Sequence, residues 1–361
     1  MRKPIRLQYL VFGCLITLLS LSSCRTQSRQ QADPTPGESA PSFRILERTV
    51  EPLLRADQPW EEMCIGYASV IREGTKWRMW YGAYDRDYKR DDDQRLCYAE
   101  SPDGIHWTKP ELNLVEFRGS KKNNILISGP LMGGFCFNSV FADWKAPSEG
   151  QYKLIFLRYS QQEGIQWRVH GGISEDGIHW ELLPEPLSKK NSDTQTVCIP
   201  EKNGYRLYTR IWRGGWKGVR TVGYTESPSF SDFPTPREIF SHDGKDPAGM
   251  QFYSSGASKL NDRLYVFLPA AFYTREQIVN AHLAWSRDGT NFTRVGREPV
   301  VDVGPGFDSR SIYPLPGAVA GKKKGTWWIY YNGNNVKHDD PRLVKTTYSG
   351  GIGRFLLEVK D

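Results

Sequence analysis

Residues 98–107 read YAESPDGIHW, and the same pattern returns twice in this 361-residue chain. Residues 172–180 read GISEDGIHW, and residues 284–292 read AWSRDGTNF. An Asp-Gly pair between strand-like segments is a strong signal for a β-hairpin, because glycine readily takes the positive φ that the turn needs. The repeated stretch therefore predicts one hairpin that is built several times.

Two weaker copies extend the repeat, GYTESPSFSDF at 223–233 and TTYSGGIGRF at 346–355. The serine of the signature recurs at intervals of 73, 53, 59 and 63 residues, at Ser101, Ser174, Ser227, Ser286 and Ser349. Self-similarity at such a period is typical of a repeat architecture in which each unit is one supersecondary structure.

An aromatic-rich segment precedes each copy of the hairpin. Before the aromatic-rich segment come a further apolar segment and then a polar turn. The five segments are KWRMWYGAY (76–84), QYKLIFLRY (151–159), GYRLYTRIW (204–212), DRLYVFLPA (262–270) and TWWIYYNGN (326–334). Each unit thus reads as four strands, with Trp107, Trp180 and Phe292 covering the hairpin in the clear copies. Five such units predict an all-β chain, a five-bladed β-propeller of four-stranded antiparallel blades.

The N-terminus predicts export. A basic head and a short apolar run are typical of a signal peptide, and Leu21-Ser22-Ser23-Cys24 resembles the bacterial lipobox. We expect residues 1–23 to be a lipoprotein signal peptide, residues 24–42 to be a lipidated Cys24 and a flexible tether, and residues 43–361 to be the propeller. The predicted location is the outer membrane or cell surface, through this lipid anchor. An ordinary signal peptide that holds a cysteine is the alternative.

The amino-acid composition favours some classes of binding partner over others. The chain has 12 Trp and 18 Tyr, which suits packed β-sheets and a surface that faces carbohydrate. The formal charge of +7 is partly carried by the signal segment, and the lysine clusters fall in turns, so nucleic acid is not an expected partner. We expect a monomer without metal or cofactor. The acidic run DRDYKRDDD (85–93) lacks the pattern of a calcium loop and reads as a solvated loop. Four cysteines remain in the domain, as buried thiols or as disulfides: Cys64, Cys97, Cys136 and Cys198.

Over residues 60–358 the chain resembles the five-bladed propeller glycosidases, the group of glycoside hydrolase families 32, 43, 62, 68, 117 and 130, and most of all secreted bacterial proteins described as family-32-like. The residues that carry the resemblance are WRMWYGAYD (77–85), YAESPDGIHWTKPELNLVEFRGSKKNNI (98–125), DTQTV (193–197), LAWSRDGTNFTR (283–294) and GGIGRF (350–355). The W-x-N-D-P-N-G, R-D-P and E-C motifs of invertase-type enzymes do not occur in the sequence. The resemblance implies hydrolysis of a glycosidic bond by carboxylates from different blades.

Glycoside hydrolysis needs two carboxyl groups that flank the bond. Acids stand just before the predicted first strand of four units, at Glu61 and Glu62, Asp193, Asp246 and Asp308. We predict Asp193, Asp308 and one of Glu61 or Glu62 as the catalytic carboxylates, with acid and base unassigned. A turn or cap role is the alternative for each of them.

A second set of side chains is predicted to bind substrate. Arginine near a carboxylate can grip sugar hydroxyls, although a structural salt bridge is the alternative. The predicted substrate-binding residues are Arg158, Arg210, Asp85, Asp246, Gln195, Arg310, Asn332 and His338.

These observations predict an exported glycosidase that acts on an oligo- or polysaccharide. The second unit has Asn138 and Ser139 where the others have an acid. That difference keeps a non-catalytic carbohydrate-binding lipoprotein as the main alternative. A scaffold in a polysaccharide-uptake complex is a third possibility.

Overall fold

The computed structural model describes residues 39–161, 164, 166–338 and 350–361, and within them the regular structure is almost entirely strand. The helices in these ranges are a four-residue α-helix, Gly129–Met132, and two single-turn 3-10 helices, Pro59–Glu61 and Ser148–Gly150. No helix among the described residues has the length and apolar character to span a membrane. The predicted signal peptide, the lipidated Cys24 and most of the predicted tether lie outside the described residues.

The strands follow one another in units along the chain. The first strands are β1 (Ser42–Arg48), β2 (Leu54–Arg55), β3 (Cys64–Glu73), β4 (Lys76–Tyr84), β5 (Arg95–Ser101) and β6 (Ile125–Ser128). The middle strands are β7 (Cys136–Ala142), β8 (Tyr152–Tyr159), β9 (Trp167–Ser174), β10 (Glu181–Leu182), β11 (Ser188–Asn191), β12 (Val197–Glu201), β13 (Gly204–Arg213), β14 (Val219–Ser227) and β15 (Arg237–Phe240). The last strands are β16 (Met250–Asn261), β17 (Leu264–Tyr273), β18 (Ile278–Ala281), β19 (Ala284–Ser286), β20 (Thr293–Arg294), β21 (Ser311–Pro314), β22 (Val319–Ala320), β23 (Thr326–Asn334) and β24 (Gly351–Lys360).

The five aromatic-rich strands predicted from the sequence are confirmed as β4, β8, β13, β17 and β23. Three units form separate antiparallel sheets, with strand orders β3-β4-β5-β6, β7-β8-β9-β10 and β12-β13-β14-β15. The fourth and fifth units differ from the prediction, because their strands belong to one 11-stranded sheet. A single parallel bridge between Val279 and Ser311 joins β18 to β21 and so connects these two groups of antiparallel strands.

Buried aromatic and aliphatic side chains fill the space between neighbouring units. Phe135 and Phe156 stack with ring centroids 4.9 Å apart, in a cluster that also contains Trp80 of the first unit. Another cluster joins Met79 of the first unit to Ile352 of the last. Since strands with one buried face must pack against another layer, the chain buries its core between units rather than inside any one of them.

The repeated hairpin has the same hydrogen bonds in its three clear copies. Ser101 Oγ accepts from the backbone N–H of Gly104 (2.9 Å), and Asp103 Oδ1 accepts from the N–H of His106 (2.9 Å). Gly104 has a φ of 73°, which a side chain would strain. The other two copies are Ser174-Asp176-Gly177 and Ser286-Asp288-Gly289.

These turns also connect the units to one another. The carbonyl of each turn glycine accepts a hydrogen bond from the preceding unit: Trp80 Nε1 to Gly177 (2.6 Å), Tyr208 Oη to Gly289 (2.8 Å) and, from the last unit to the first, Tyr330 Oη to Gly104 (2.8 Å). The sequence repeats the hairpin because each copy docks on its neighbour in the same way.

The segments that begin the five units run side by side between two faces of the molecule. Their first residues line one cavity and their last residues line another. We call the two ends the pocket face and the turn face; the Asp-Gly turns lie at the turn face, because Ser101 pairs with Trp77 at that end of β4. The repeated motif is therefore structural and lies at the end opposite the candidate site described next.

Candidate functional site

A cavity of about 420 Å³ opens at the pocket face, where the first strands of all five units meet. Its volume is within the range of small-molecule sites. Eight aromatic side chains line it: Tyr67, Tyr84, Tyr88, Phe137, Trp167, Trp216, Tyr253 and Tyr313. Among the described residues, two carboxylates line it, Asp91 and Asp193. No carboxylate of the described ranges lines the cavity at the turn face, about 530 Å³, so we place the candidate site at the pocket face.

β-Bulges turn aromatic rings into the cavity. The pairing of β3 with β4 shifts between Gly66 and Ser69, and Tyr67 between them has a φ of 51°. The pairing of β7 with β8 shifts in the same way around Phe137, whose φ is 53°. Positive φ is unusual for bulky residues, and strained backbone of this kind clusters at functional sites. The two rings meet edge to face, with centroids 4.9 Å apart.

Buried amides connect the first strands beneath these rings. Gln195 Nε2 donates to the carbonyl of Asn138 (2.7 Å), and Asn138 Nδ2 donates to the carbonyl of Tyr67 (2.8 Å). Gln195 also reaches the carbonyl of Ala68 (3.2 Å). Three units are therefore cross-linked between the two cavities, which gives the pocket a polar floor.

Asp193 lines the cavity, and a buried arginine fixes its position. Arg210 Nη1 donates to Asp193 Oδ1, and its Nε donates to the carbonyl of Tyr253 (3.0 Å). The guanidinium carbon also lies 3.9 Å from the centroid of the Tyr253 ring. Arg210 is 2% exposed. Arg210 is not among the residues that line the cavity, so it holds the Asp193 carboxylate from outside the lining, whereas the sequence predicts a substrate clamp.

Asp91, the second carboxylate, comes from the loop between β4 and β5. Tyr88 Oη donates to Asp91 Oδ1 (2.9 Å), and Tyr84 Oη donates to the Asp91 carbonyl (2.5 Å). Asp91 is exposed on the cavity side, and desolvation by the surrounding protein still raises its pKa; the Tyr88 hydrogen bond opposes this rise, and the negative charge of Asp193 adds to it. Both carboxyls line the same cavity, and Asp91 holds its proton more tightly than an ordinary aspartate does.

The acidic run that contains Asp91 is solvated only in part, since Asp87, Lys89 and Asp91 are exposed while Asp85 and Asp92 are buried. The Asp92 side chain is fully buried and pairs with Arg90 (2.7 Å). Asp93 accepts hydrogen bonds from the backbone N–H groups of Lys89 (2.9 Å) and Arg90 (3.0 Å). These contacts give the three adjacent aspartates three different directions, and only Asp91 of the three lines the cavity.

Three of the predicted substrate-binding residues line the cavity: Gln195, Asn332 and His338. The His338 ring packs against Tyr253, with centroids 4.5 Å apart, and its Nδ1 lies 2.6 Å from Tyr313 Oη.

The other predicted catalytic acids lie outside the cavity. Glu61 is fully buried and accepts from Tyr81 Oη (2.6 Å) and Lys109 Nζ (2.7 Å). Asp308 is 3% exposed and pairs with Arg48. Glu62 lies 3.7 Å from Arg118. The structure does not bring these acids together with Asp193, because buried hydrogen-bond partners satisfy the first two elsewhere.

The remaining predicted binding residues are also outside the cavity. Asp85 pairs with Arg95 (3.2 Å), and Asp246 pairs with Arg294 (2.8 Å). Arg158 donates to the carbonyl of Gly134 (3.2 Å), and Arg310 is exposed.

Sequence reasoning missed Asp91 and the aromatic lining. A signal for the lining exists, because the first strands carry an aromatic residue two positions before a serine in GYAS (66–69) and CFNS (136–139). Asp91 has no such signal. In the part of the chain that the structure describes, no three His, Cys, Asp or Glu side chains are grouped to hold a metal ion, and the four cysteines are free thiols.

No family model matches the chain. Two curated relatives, Uncharacterized protein MT1551 and Uncharacterized protein Rv1502, both from strains of Mycobacterium tuberculosis, are 27% identical over 153 residues, which is 40% of this chain. The match spans 44% of the length of each of those relatives.

Solved structures match nearly the whole chain. A glycosyl hydrolase from Bacteroides ovatus has a TM-score of 0.59 at 14% identity, covering 91% of this chain and 96% of that chain. An N-acetylgalactosamine deacetylase from F. plautii in complex with blood group B trisaccharide has a TM-score of 0.58 at 16% identity, covering 89% and 94%. A structure reported for the GH130 family of mannoside phosphorylases, described as containing glycoside hydrolases that target β-1,2 mannosidic linkages in Candida mannan, has a TM-score of 0.56 at 14% identity, covering 90% and 96%. At these identities the matches show a shared all-β fold.

Proposed function

We propose that this protein hydrolyses a glycosidic bond in an oligo- or polysaccharide, with Asp91 and Asp193 as the two carboxyl groups. The observation that carries the proposal is that two carboxyls in different electrostatic surroundings line one cavity together with aromatic side chains. Pairs of carboxyls whose surroundings differ in this way are the usual basis of acid and base roles in glycosidases.

The roles follow from the surroundings. The raised pKa of Asp91 favours its protonated form, so Asp91 would protonate the leaving oxygen. Asp193 forms an ion pair with Arg210, so it would act as the base or nucleophile. The aromatic rings offer faces on which sugar rings stack, and Asn332 and Gln195 offer hydrogen bonds to hydroxyl groups.

The proposed architecture is the five-bladed propeller that the sequence predicts, with the fourth and fifth blades joined at their pocket-face ends. The docking of each clear hairpin turn on the preceding unit, and of the first turn on the last unit, supports a closed ring. The pairing of β1 with β24 supports it further, because it ties the start of the described domain to its last unit.

The test compares the wild type with Asp91→Asn and Asp193→Asn on aryl glycosides and on plant, algal and fungal oligosaccharides. Asp87→Asn is the matched control, because Asp87 lies on the same loop as Asp91 and its side chain is 77% exposed. We expect both pocket variants to lose hydrolysis while they still bind the oligosaccharide in calorimetry, and the control to remain active.

The two main alternatives give different results in the same experiment. A wild type that binds an oligosaccharide and never cleaves it would support the carbohydrate-binding alternative. Cleavage that survives in both pocket variants would reject the assigned carboxyls.

A further inference from the structure

The chain enters the described domain on the side away from the candidate site. Strand β1 begins at Ser42, which pairs with Lys360, and β24 runs from there back to Ile352, which pairs with Asn332 at the cavity. Ser42 therefore lies at the turn face. A segment that precedes residue 42 joins the domain at this face, opposite the opening of the pocket.

Lysines without ion-pair partners surround that entry point. Lys322, Lys324 and Lys360 are exposed and form no ion pair among the described residues. The acids beside them are already neutralised, since Glu358 pairs with Lys323 (2.7 Å) and with Arg44 (2.9 Å). Asp361 in turn pairs with Arg287 (2.5 Å). The entry point therefore carries a local surplus of positive charge, which we call the entry patch (Lys322, Lys324 and Lys360).

The same face exposes a large aromatic side chain. Trp144 is 55% exposed and lies at the rim of the turn-face cavity, edge-on to Tyr152 with centroids 5.6 Å apart. Lys145 beside it is exposed and forms no ion pair within the described ranges. Glu149, an exposed residue of opposite charge, follows four residues later. Tryptophan with nearby lysine is typical of surfaces that rest at the headgroup level of a membrane.

We propose that the turn face lies against the anionic headgroups of a membrane, so that the pocket opens away from the lipid. Three features favour an anionic membrane as the partner: the entry patch, the exposed Trp144 and the predicted lipid attachment at Cys24. A lipid on Cys24 would place the membrane at the end of a short tether on this face. The orientation would leave the pocket open to long glycans. It does not depend on whether the pocket hydrolyses them.

The test uses the full-length lipidated protein in vesicles of phosphatidylethanolamine and phosphatidylglycerol that contain a headgroup-level spin-labelled lipid. A fluorophore is attached at Lys324→Cys on the turn face or at Lys89→Cys, on the loop that carries Asp91. Cys97, Cys136 and Cys198 are buried, and burial raises the pKa of the Cys64 thiol to about 12, so the introduced cysteine reacts first. We expect quenching at least about threefold stronger at position 324 than at position 89.

Charge variants test the contact itself, with the fluorophore at Lys145→Cys. Lys322→Glu should lower the quenching and Lys89→Glu should not, because an exposed lysine attracts an anionic surface only when it faces it; a lysine near such a surface changes binding about fivefold. Salt at 0.5 M should weaken the quenching as well.

Equal quenching at positions 324 and 89, or a Cys24 without acyl mass in mass spectrometry, would overturn the proposal. Hydrolysis of a soluble oligosaccharide by the Lys322→Glu variant should stay within about twofold of the wild type. Failure of the membrane contact is therefore distinguishable from failure of the proposed activity.

Discussion

Two aspartates stand at the same place in their units and end in different surroundings. Asp193 and Asp308 each precede the first strand of a unit, each is followed by polar residues, and each pairs with an arginine. Asp193 lines the pocket with Arg210 behind it. Asp308 lies within the last unit, where it accepts from Arg48 of β1 and from Tyr331 Oη (2.8 Å) of β23.

The difference shows that a repeat determines where a residue enters a unit but not where its side chain points. Asp308 points towards β1, which comes from the start of the described domain and pairs with β24 as the outer strand of the last unit, whereas the outer strand of the third unit, β15, follows β14 in sequence. One aspartate is available for chemistry, and the other connects the two ends of the described domain.

The largest expected effect is on catalysis by the two aspartates. Asp193→Asn should lower kcat by roughly 10³-fold, because it removes the charge that the reaction requires. Asp308→Asn should leave kcat within about threefold once protein concentration is corrected for folding. Steady-state kinetics on one aryl glycoside would measure both, and equal losses in the two variants would end the distinction between them.

A smaller expected effect is on the pH dependence of activity, which should distinguish the role of Asp91 from that of Asp193. A general acid works in its protonated form, and its raised pKa keeps that form to a higher pH, so activity should fall as pH rises through the pKa of Asp91. Asp91→Asn should lower kcat about 10²-fold and remove this alkaline limb. A pH profile between 4 and 9 is the measurement. An alkaline limb that persists in the variant would assign the acid role to another group.

For the free energy of unfolding we expect the reverse order, with a larger loss for the Asp308 variant than for the Asp193 variant. Asp308→Asn should lower the free energy of unfolding by about 2 kcal/mol, because a mostly buried ion pair loses one partner while the Tyr331 hydrogen bond can remain. Urea unfolding would measure the loss, with the exposed Asp87→Asn as the neutral control. A loss below that of the control would mean that Asp308 does not hold β1 to the last unit.

The smallest expected effect concerns the turn face at low pH. Hydrogen bonds from His179 and from the turn backbone outweigh desolvation and lower the pKa of Asp176 to about 2. A carboxyl whose folded pKa is depressed stabilises the fold above its unfolded pKa, about 3.9, and loses that contribution as pH falls through about 2. Asp176→Asn should therefore make thermal stability less dependent on pH between 4 and 2. If the variant showed the same change of thermal stability with pH as the wild type, protonation of Asp176 would not contribute to the stability of the fold.

Much of the fold was predictable from the sequence, because its main signals are local. The Asp-Gly turns and the aromatic-rich segment that precedes each of them predict β4, β8, β13, β17 and β23. The joined sheet of the fourth and fifth units was not predictable, since it depends on one bridge between Val279 and Ser311, which no local pattern marks.

The candidate site was predictable only in part. Position before a first strand indicated Asp193, and position at a strand end indicated Asn332. The same rule also selected Glu61, which Lys109 and Tyr81 hold within the fold. Asp91 was missed because a run of three aspartates gives no sign of which one lines the cavity.

The sequence by itself determined the repeat, the strands and the hairpin turns, because those depend on the conformational preferences of a few neighbouring residues. Only the tertiary structure decided which carboxyls meet. The side-chain directions of Asp91 and Asp193 depend on Tyr88, Arg210 and the burial of the surrounding backbone. Such directions depend on contacts between residues far apart in the chain. The free energy of those contacts cannot be deduced from any one segment of the sequence.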